Sequence, residues 1–319
     1  MNNLFELHQK SRELDVDKAD HIVMPSTAVF TQNHELKFND VFGLSSTYKL
    51  SEWAIKQACD KMGGTEGQVA LYNYQKVVRG DGEHWADTMN YWRVDTGGGW
   101  LVRTHGDGAR AILSQDYTPI QNTDVIETTA EMLDQTAYQL VQPHIDADNV
   151  DFKLRVTENE DGSFGQGVFI GNGETGQRGL SIKPFIQRTS CTNSIVYSAG
   201  GVFLRHFKLV KADLIYTIKR HMGEALKITG EMMNRILMAE VEQIPDFSEY
   251  VSAFCKKNNV SQVGYGIIMV GAEGQQTTMG LVNGLSFYAH HQENHDTELR
   301  LENLAAAVLM DDFKGEIEL

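Results

Sequence analysis

The chain has 319 residues, 41% hydrophobic and 22% charged, with a net charge of −15. That length and balance suit a soluble globular protein with a sizeable core, and the acidity excludes indiscriminate binding to DNA or an acidic membrane, so any polyanion contact must be local. Three cysteines without CxxC spacing (Cys59, Cys191, Cys255) exclude a zinc ribbon or disulfide scaffold and fit a reduced cytoplasmic protein.

The opening MNNLFELHQKSRELD has no apolar signal core, so neither classical export nor a membrane span is expected. Residues 1–20 are polar and predict an arm or short helix. Residues 21–44 read as extended, with a turn at Asn33. Ser51 to Met62 predicts a helix capped by Ser51 and ended by Gly63 and Gly64. Residues 83–93 predict a shorter one. Trp100-Leu-Val-Arg-Thr-His105 and Ala109 to Ser114 flank Gly106-Asp107-Gly108 as a hairpin. Residues 122–138 predict a helix, with Asp124 and Glu127 at capping-box spacing.

Residues 150–170 carry the clearest hairpin pattern: Phe152, Leu154 and Val156 alternate with Lys153 and Arg155 before the turn at 159–162. Residues 194–207 read as extended, and a long helix is predicted over about 208–241. Its interior Gly223 and Gly230, each costing about 1 kcal/mol, predict a break or close packing. Helices follow at about 247–258, 275–291 and 297–310. The fold class expected is α+β, with antiparallel hairpins packed on helices in the first two-thirds and a helical C-terminal third. The organisation expected is an arm (1–20), one α+β domain (21–310) and a loose acidic tail (311–319).

Several motifs invite chemistry. GNGETG (171–176) matches GxGxxG after a strand, but QRGLSIKPF is a poor helix start and no acid follows about 20 residues on. A turn-forming loop is expected, with an anion-cradling role beside Arg178 left open. HHQENH (His290, His291, His295) lacks the glutamate of a zinc protease, so a solvated helix end is expected. His105 and Asp107 sit in a hairpin turn. His144, Asp146, Asp148 and Asp151 lack the glycine and closing glutamate of an EF-hand. Cys191 lacks any base identifiable from sequence and reads as a small buried residue. No metal or cofactor is expected.

The one strong local signal is charge. Residues 178–227 hold nine Lys/Arg against two acids, a block of +7 that leaves −22 elsewhere. Its cations interleave with aromatics, as single-strand binding requires: cations neutralise phosphates and rings stack on bases. The candidate phosphate contacts are Arg178, Lys183, Arg188, Arg205, Lys208, Lys219 and Arg220; the candidate stacking rings are Tyr197, Phe203 and Phe207. Phe203, Arg205 and Phe207 would share one face of a strand. The bland alternative is a solvated helix face plus scattered cations. The helix cations fit that alternative best, so the reading rests mainly on Lys183, Arg188 and Arg205.

Four blocks in order, ARAILSQDYTPIQNTDVIE (109–127), GQRGLSIKPFIQRTSCTNSIVYS (176–198), LRHFKLVKADLIYTIKRHMGEAL (204–226) and TTMGLVNGLSFYAHH (277–291), resemble the phage/plasmid-like protein family (domain of unknown function 932). The resemblance covers about 100–310. Ser194 stands where that family usually has Gly, and Phe207 where it often has Thr. The resemblance implies a phage, prophage or plasmid product acting in a bacterial cytoplasm. The hairpin-then-helix order is also similar to that of ring-forming single-strand annealing proteins, by analogy alone. The function expected is a non-enzymatic, homo-oligomeric protein of replication or recombination that binds single-stranded DNA. The alternatives are an enzyme of nucleotide or nucleic-acid metabolism and a virion or scaffold protein.

Overall fold

The structure, a computed structural model, describes residues 3–39, 45–77, 82–93, 98–133, 137–158, 162–189, 193–207 and 211–311. Two sheets and a set of helices make up the α+β fold. The first sheet contains β1 (Lys18–Val23), β2 (Val29–Phe30), β3 (Glu35–Asn39), β4 (Ser45–Leu50), β5 (Trp100–His105) and β6 (Gly108–Ser114). Their order is β1-β5-β6-β4-β3-β2, antiparallel except for β4 beside β6. Helices α2 (Glu52–Met62), α3 (Gly64–Val77) and α4 (Gly82–Trp92) bury Ile55, Ala58, Trp85 and Met89 with Phe30, Phe38 and Trp100 of the sheet. The Ser51 side chain accepts from the Ala54 amide, and Gly63, at φ +69°, stops α2 in a conformation that favours glycine.

The second sheet is an antiparallel meander of β7 (Gln139–Ile145), β8 (Asn149–Glu158), β9 (Phe164–Gly173) and β10 (Leu180–Arg188). Two short strands, β11 (Ser194–Val196) and β12 (Val202–Leu204), pair with opposite ends of β10. One face buries Phe152, Leu154, Val168, Ile170, Leu180 and Ile182 against α1 (Leu4–Leu14), α5 (Asn122–Met132) and α6 (Leu214–Val241). The α6 side chains Met232 and Ile236 extend this contact to Ile186 and Ile195, joined by α7 (Phe247–Lys257), α8 (Gln262–Gly271), α9 (Thr278–His290) and α10 (His295–Leu309). Helix α10 covers the other face, called outer below: Leu299 packs on Phe169, Phe185 and Val196.

Several local expectations change. Residues 4–14 are a docked helix, because Leu4 and Leu7 are fully buried. Helix α6 begins at Leu214 rather than near 208, and α5 stops at Met132 rather than running to 138. The capping box of α5 joins Gln121 and Asp124 in place of Asp124 and Glu127. Helices α3 and α8 carry weak sequence signals. Gly223 and Gly230 mark neither a break nor close packing: α6 is continuous, and nothing stands within 4 Å of where their Cβ atoms would be. The buried series Leu214, Ile218, Met222, Ala225, Thr229, Met232, Ile236 and Ala239 supplies the apolar stripe that holds α6 together. No helix among the described residues is long and apolar enough to cross a membrane.

Candidate nucleic-acid interface

Strand β10 divides the basic block. Side chains alternate along a strand, so Ser181, Lys183 and Phe185 face outward, while Ile182, Ile186 and Arg188 face α6. Lys183 and Arg188 therefore lie on opposite sides of the sheet. Lys183 Nζ sits 5.4 Å from the centre of the Phe169 ring, and burial lowers its pKa despite the attraction of Asp151. Arg178 Nη1 donates to Asp151 Oδ2 at 2.5 Å, and Nη2 pairs with Asp296 of α10. Both groups are engaged within the molecule. Arg188 ends β10 and lines a cleft against α6 and α9.

The segment after β12 behaves differently. The strand stops at Leu204, so Phe203, Arg205 and Phe207 do not share a strand face as expected. Phe203 pairs with Ser181 on the outer face and is 57% exposed. His206 is buried, its Nδ1 2.7 Å from Tyr117 Oη, and its carbonyl accepts from the Thr118 amide at 2.6 Å. Burial, with nearby Arg103, pushes the His206 pKa down to about 4, so the ring is neutral. This anchor turns His206 inward; on either side, Arg205 and Phe207 are exposed, Phe207 to 52%. Tyr197 is half-buried against the α6–α9 core. Lys208 lies outside the described residues.

The solvent face of α6 carries a further set. Tyr216, Lys219, Arg220 and Lys227 are exposed, Tyr216 to 67%. Tyr216 and Arg220 are four residues apart and Lys227 seven further on, so the three form one stripe about 16 Å long. Arg220 is paired with Glu224 at 3.1 Å, while Lys219 and Lys227 have no ionic partner among the described residues. The helix cations, the weaker part of the block by sequence, are thus accessible together with Arg205, whereas Arg178 and Lys183 are engaged.

The other motifs resolve into joints. GNGETG continues β9 and then turns; no helix starts there. Glu174, fully buried, accepts from Lys18 Nζ at 3.0 Å, Arg110 Nη2 at 3.1 Å and the Asn122 amide at 2.8 Å. The Thr175 carbonyl accepts from Trp53 Nε1 and Gln57 Nε2, both at 2.9 Å. The loop fastens the two sheets to each other. Asp146 caps its own turn, Asp148 pairs with Arg110, and Asp151 pairs with Arg178, so these acids do not converge. Cys191 lies outside the described residues. Among the described residues no His, Cys, Asp and Glu side chains group to hold a metal.

His295 corrects the expectation of a solvated helix end. Its Nε2 lies 3.0 Å from Asp151 Oδ2, its Nδ1 3.2 Å from Glu298 Oε2, and its ring stacks on His144 at 4.4 Å. Beside it, buried Lys153 Nζ donates to Glu302 Oε1 at 2.6 Å and to Ser194 Oγ at 2.8 Å. These residues clamp α10 to the outer face. A signal existed in the sequence: charges at 151, 153 and 155 on one strand face, and His295, Glu298 and Glu302 at helical spacing. Searches against protein-family models, curated proteins and solved structures find no match to the chain.

Proposed function

We propose that this protein binds single-stranded DNA along the solvent face of the first half of α6 and the adjoining 205–207 segment. The observation that carries the reading is the stripe of Tyr216, Arg220 and Lys227, with exposed Lys219 beside it. Exposed cations neutralise phosphates, and an exposed ring stacks on a base whatever its identity. Arg205 and Phe207 extend the same composition, and Phe203 adds an exposed ring. The four sequence blocks similar to the phage/plasmid-like family support a role in phage or plasmid replication or recombination, strand annealing included, in a bacterial cytoplasm. The reading includes a homo-oligomer, supported by exposed Leu237, Met238 and Val241 in the second half of α6.

The test is titration of a labelled single-stranded oligonucleotide at about 50 and 200 mM salt. Affinity falls steeply with salt, and replacing Lys219 and Lys227 together by Gln flattens the logarithmic slope by about 0.7 per cation removed. Arg178→Gln leaves the slope unchanged, since that guanidinium is held by Asp151 and Asp296. Absence of binding at the lower salt sinks the proposal.

A further inference from the structure

We infer that the cleft between β10, α6 and α9 is a binding site for a nucleoside phosphate, with Arg188 as its phosphate-binding group. The site shares no residue with the α6 stripe and stands independently of it. The cleft has a volume of about 570 Å³, within the range of small-molecule sites. A narrower recess adjoins it, sharing Arg188 and Asn283 as walls.

The chemistry of the lining differs from that of the joints between the sheets and of the α10 clamp. Lys18, Arg103, Arg110, Lys153 and Arg178, which fasten the sheets and clamp α10, each meet a carboxylate. The Arg188 guanidinium meets none among the described residues, although its backbone is fixed through an amide bond to the Asn193 carbonyl at 3.2 Å. Glu240, the one acid among the described residues of the wall, makes no ion pair with it. The carboxamides of Gln243, Gln275, Gln276 and Asn283 line the same cleft, and none is hydrogen-bonded to a described residue.

Such a set is complementary to a nucleotide. A planar guanidinium can grip phosphate oxygens with two parallel N–H donors. Each carboxamide offers a donor and an acceptor side by side, as the edge of a base requires. Phe164 and Met279 supply apolar lining for the flat body of the base. One guanidinium suits one phosphate, so the ligand is a mononucleotide unit, free or at the end of a strand.

The experiment is calorimetric titration with each of the four deoxynucleoside 5′-monophosphates, with deoxyadenosine and with inorganic phosphate. At least one nucleotide binds saturably, while nucleoside and phosphate bind at least about tenfold more weakly. Arg188→Gln and Asn283→Leu each weaken nucleotide binding by about tenfold or more, and Lys219→Gln leaves it unchanged. Arg188→Lys, which keeps the charge but loses the fork, weakens it too and guards against misfolding as the cause. Displacement by a 5′-phosphorylated oligonucleotide assigns the site to strand ends; retention of nucleotide assigns it to free nucleotide. No saturable nucleotide binding into the millimolar range, or binding unaltered in both Arg188→Gln and Asn283→Leu, overturns the inference. Weakened oligonucleotide binding with a flatter salt slope in the Lys219 and Lys227 variant, with nucleotide binding intact, separates this site from the α6 face.

Discussion

Asp151 Oδ2 stands 3.0 Å from His295 Nε2 and joins the start of β8 to the first residue of α10. Burial alone would lower the His295 pKa, but hydrogen bonds to Asp151 and Glu298 outweigh it and push the value up to about 9. Burial would raise the Asp151 pKa, and here hydrogen bonding and charge from His295 and Arg178 win and hold it below its ordinary 3.8. The imidazolium therefore bridges two carboxylates at neutral pH.

The pH dependence follows from those directions. A histidine whose folded pKa exceeds its ordinary 6.5 stabilises fully below 6.5, and its contribution is lost as pH rises through about 9. Asp151 contributes above its ordinary 3.8, and that contribution is lost on acidification through its lower folded value. Urea unfolding should show a plateau between about pH 5 and 6.5, then a decline on the order of 1–2 kcal/mol by pH 9.5, discounted for partial solvent screening. His295→Gln removes that alkaline decline. An unchanged slope in the variant rejects the assignment.

Glu174→Gln tests the joint between the sheets. The carboxylate is fully buried between Lys18 and Arg110, and removing its charge strands both cations. Asp15 and Asp148 retain partial hold on them, so the expected loss is about 3 kcal/mol, at the lower end for breaking a buried pair. Lys10→Ala removes the exposed pair with Glu13 and should change stability by about 0.5 kcal/mol or less. Urea midpoints of the two variants measure the contrast.

The fold was legible where one local rule acted alone. Alternation of Phe152 and Leu154 with Lys153 and Arg155 locates β8, because one face must be apolar whatever covers the other. The same alternation leaves open what covers the charged face: Glu302, 149 residues from Lys153, supplies the partner, and nothing local records it. The site was less legible for the same reason. Arg178 and Lys183 look available in a list of cations, but their partners Asp151, Asp296 and Phe169 come from other elements. The anchored His206, which sets Arg205 and Phe207 outward, depends on Tyr117 far upstream.

Glycine substitutions should act in opposite directions on α6 and β9. Gly223 and Gly230 are helical with open space at the Cβ position. Alanine at either raises stability by about 0.5–1 kcal/mol, through helix propensity and a less flexible unfolded chain. The two gains should add, since the sites are about 10 Å apart along the helix. At Gly167 the added Cβ collides with the Leu154 carbonyl and the Phe185 ring, in the middle of the second sheet. Gly167→Ala should destabilise by about 1–3 kcal/mol or more, because backbone cannot move aside as a flexible side chain does. Thermal melting of the three variants checks the signs.

Thiol labelling reads the two ends of the molecule separately. Burial pushes the Cys59 thiol up to about 11, and Cys255 likewise to about 11. Neither forms appreciable thiolate at pH 8, and both are buried, Cys59 in the core of the first sheet and Cys255 among the C-terminal helices. In native protein both should resist an alkylating reagent and react only as their surroundings open. Because the Glu174 joint couples the sheets, the two should become reactive over the same urea range in the wild type. In Glu174→Gln the range for Cys59 should move to lower urea ahead of Cys255, as the first sheet loses its fastening. Mass spectrometry of labelled peptides distinguishes this from a uniform shift, which would mean that the two ends unfold as one unit without that joint.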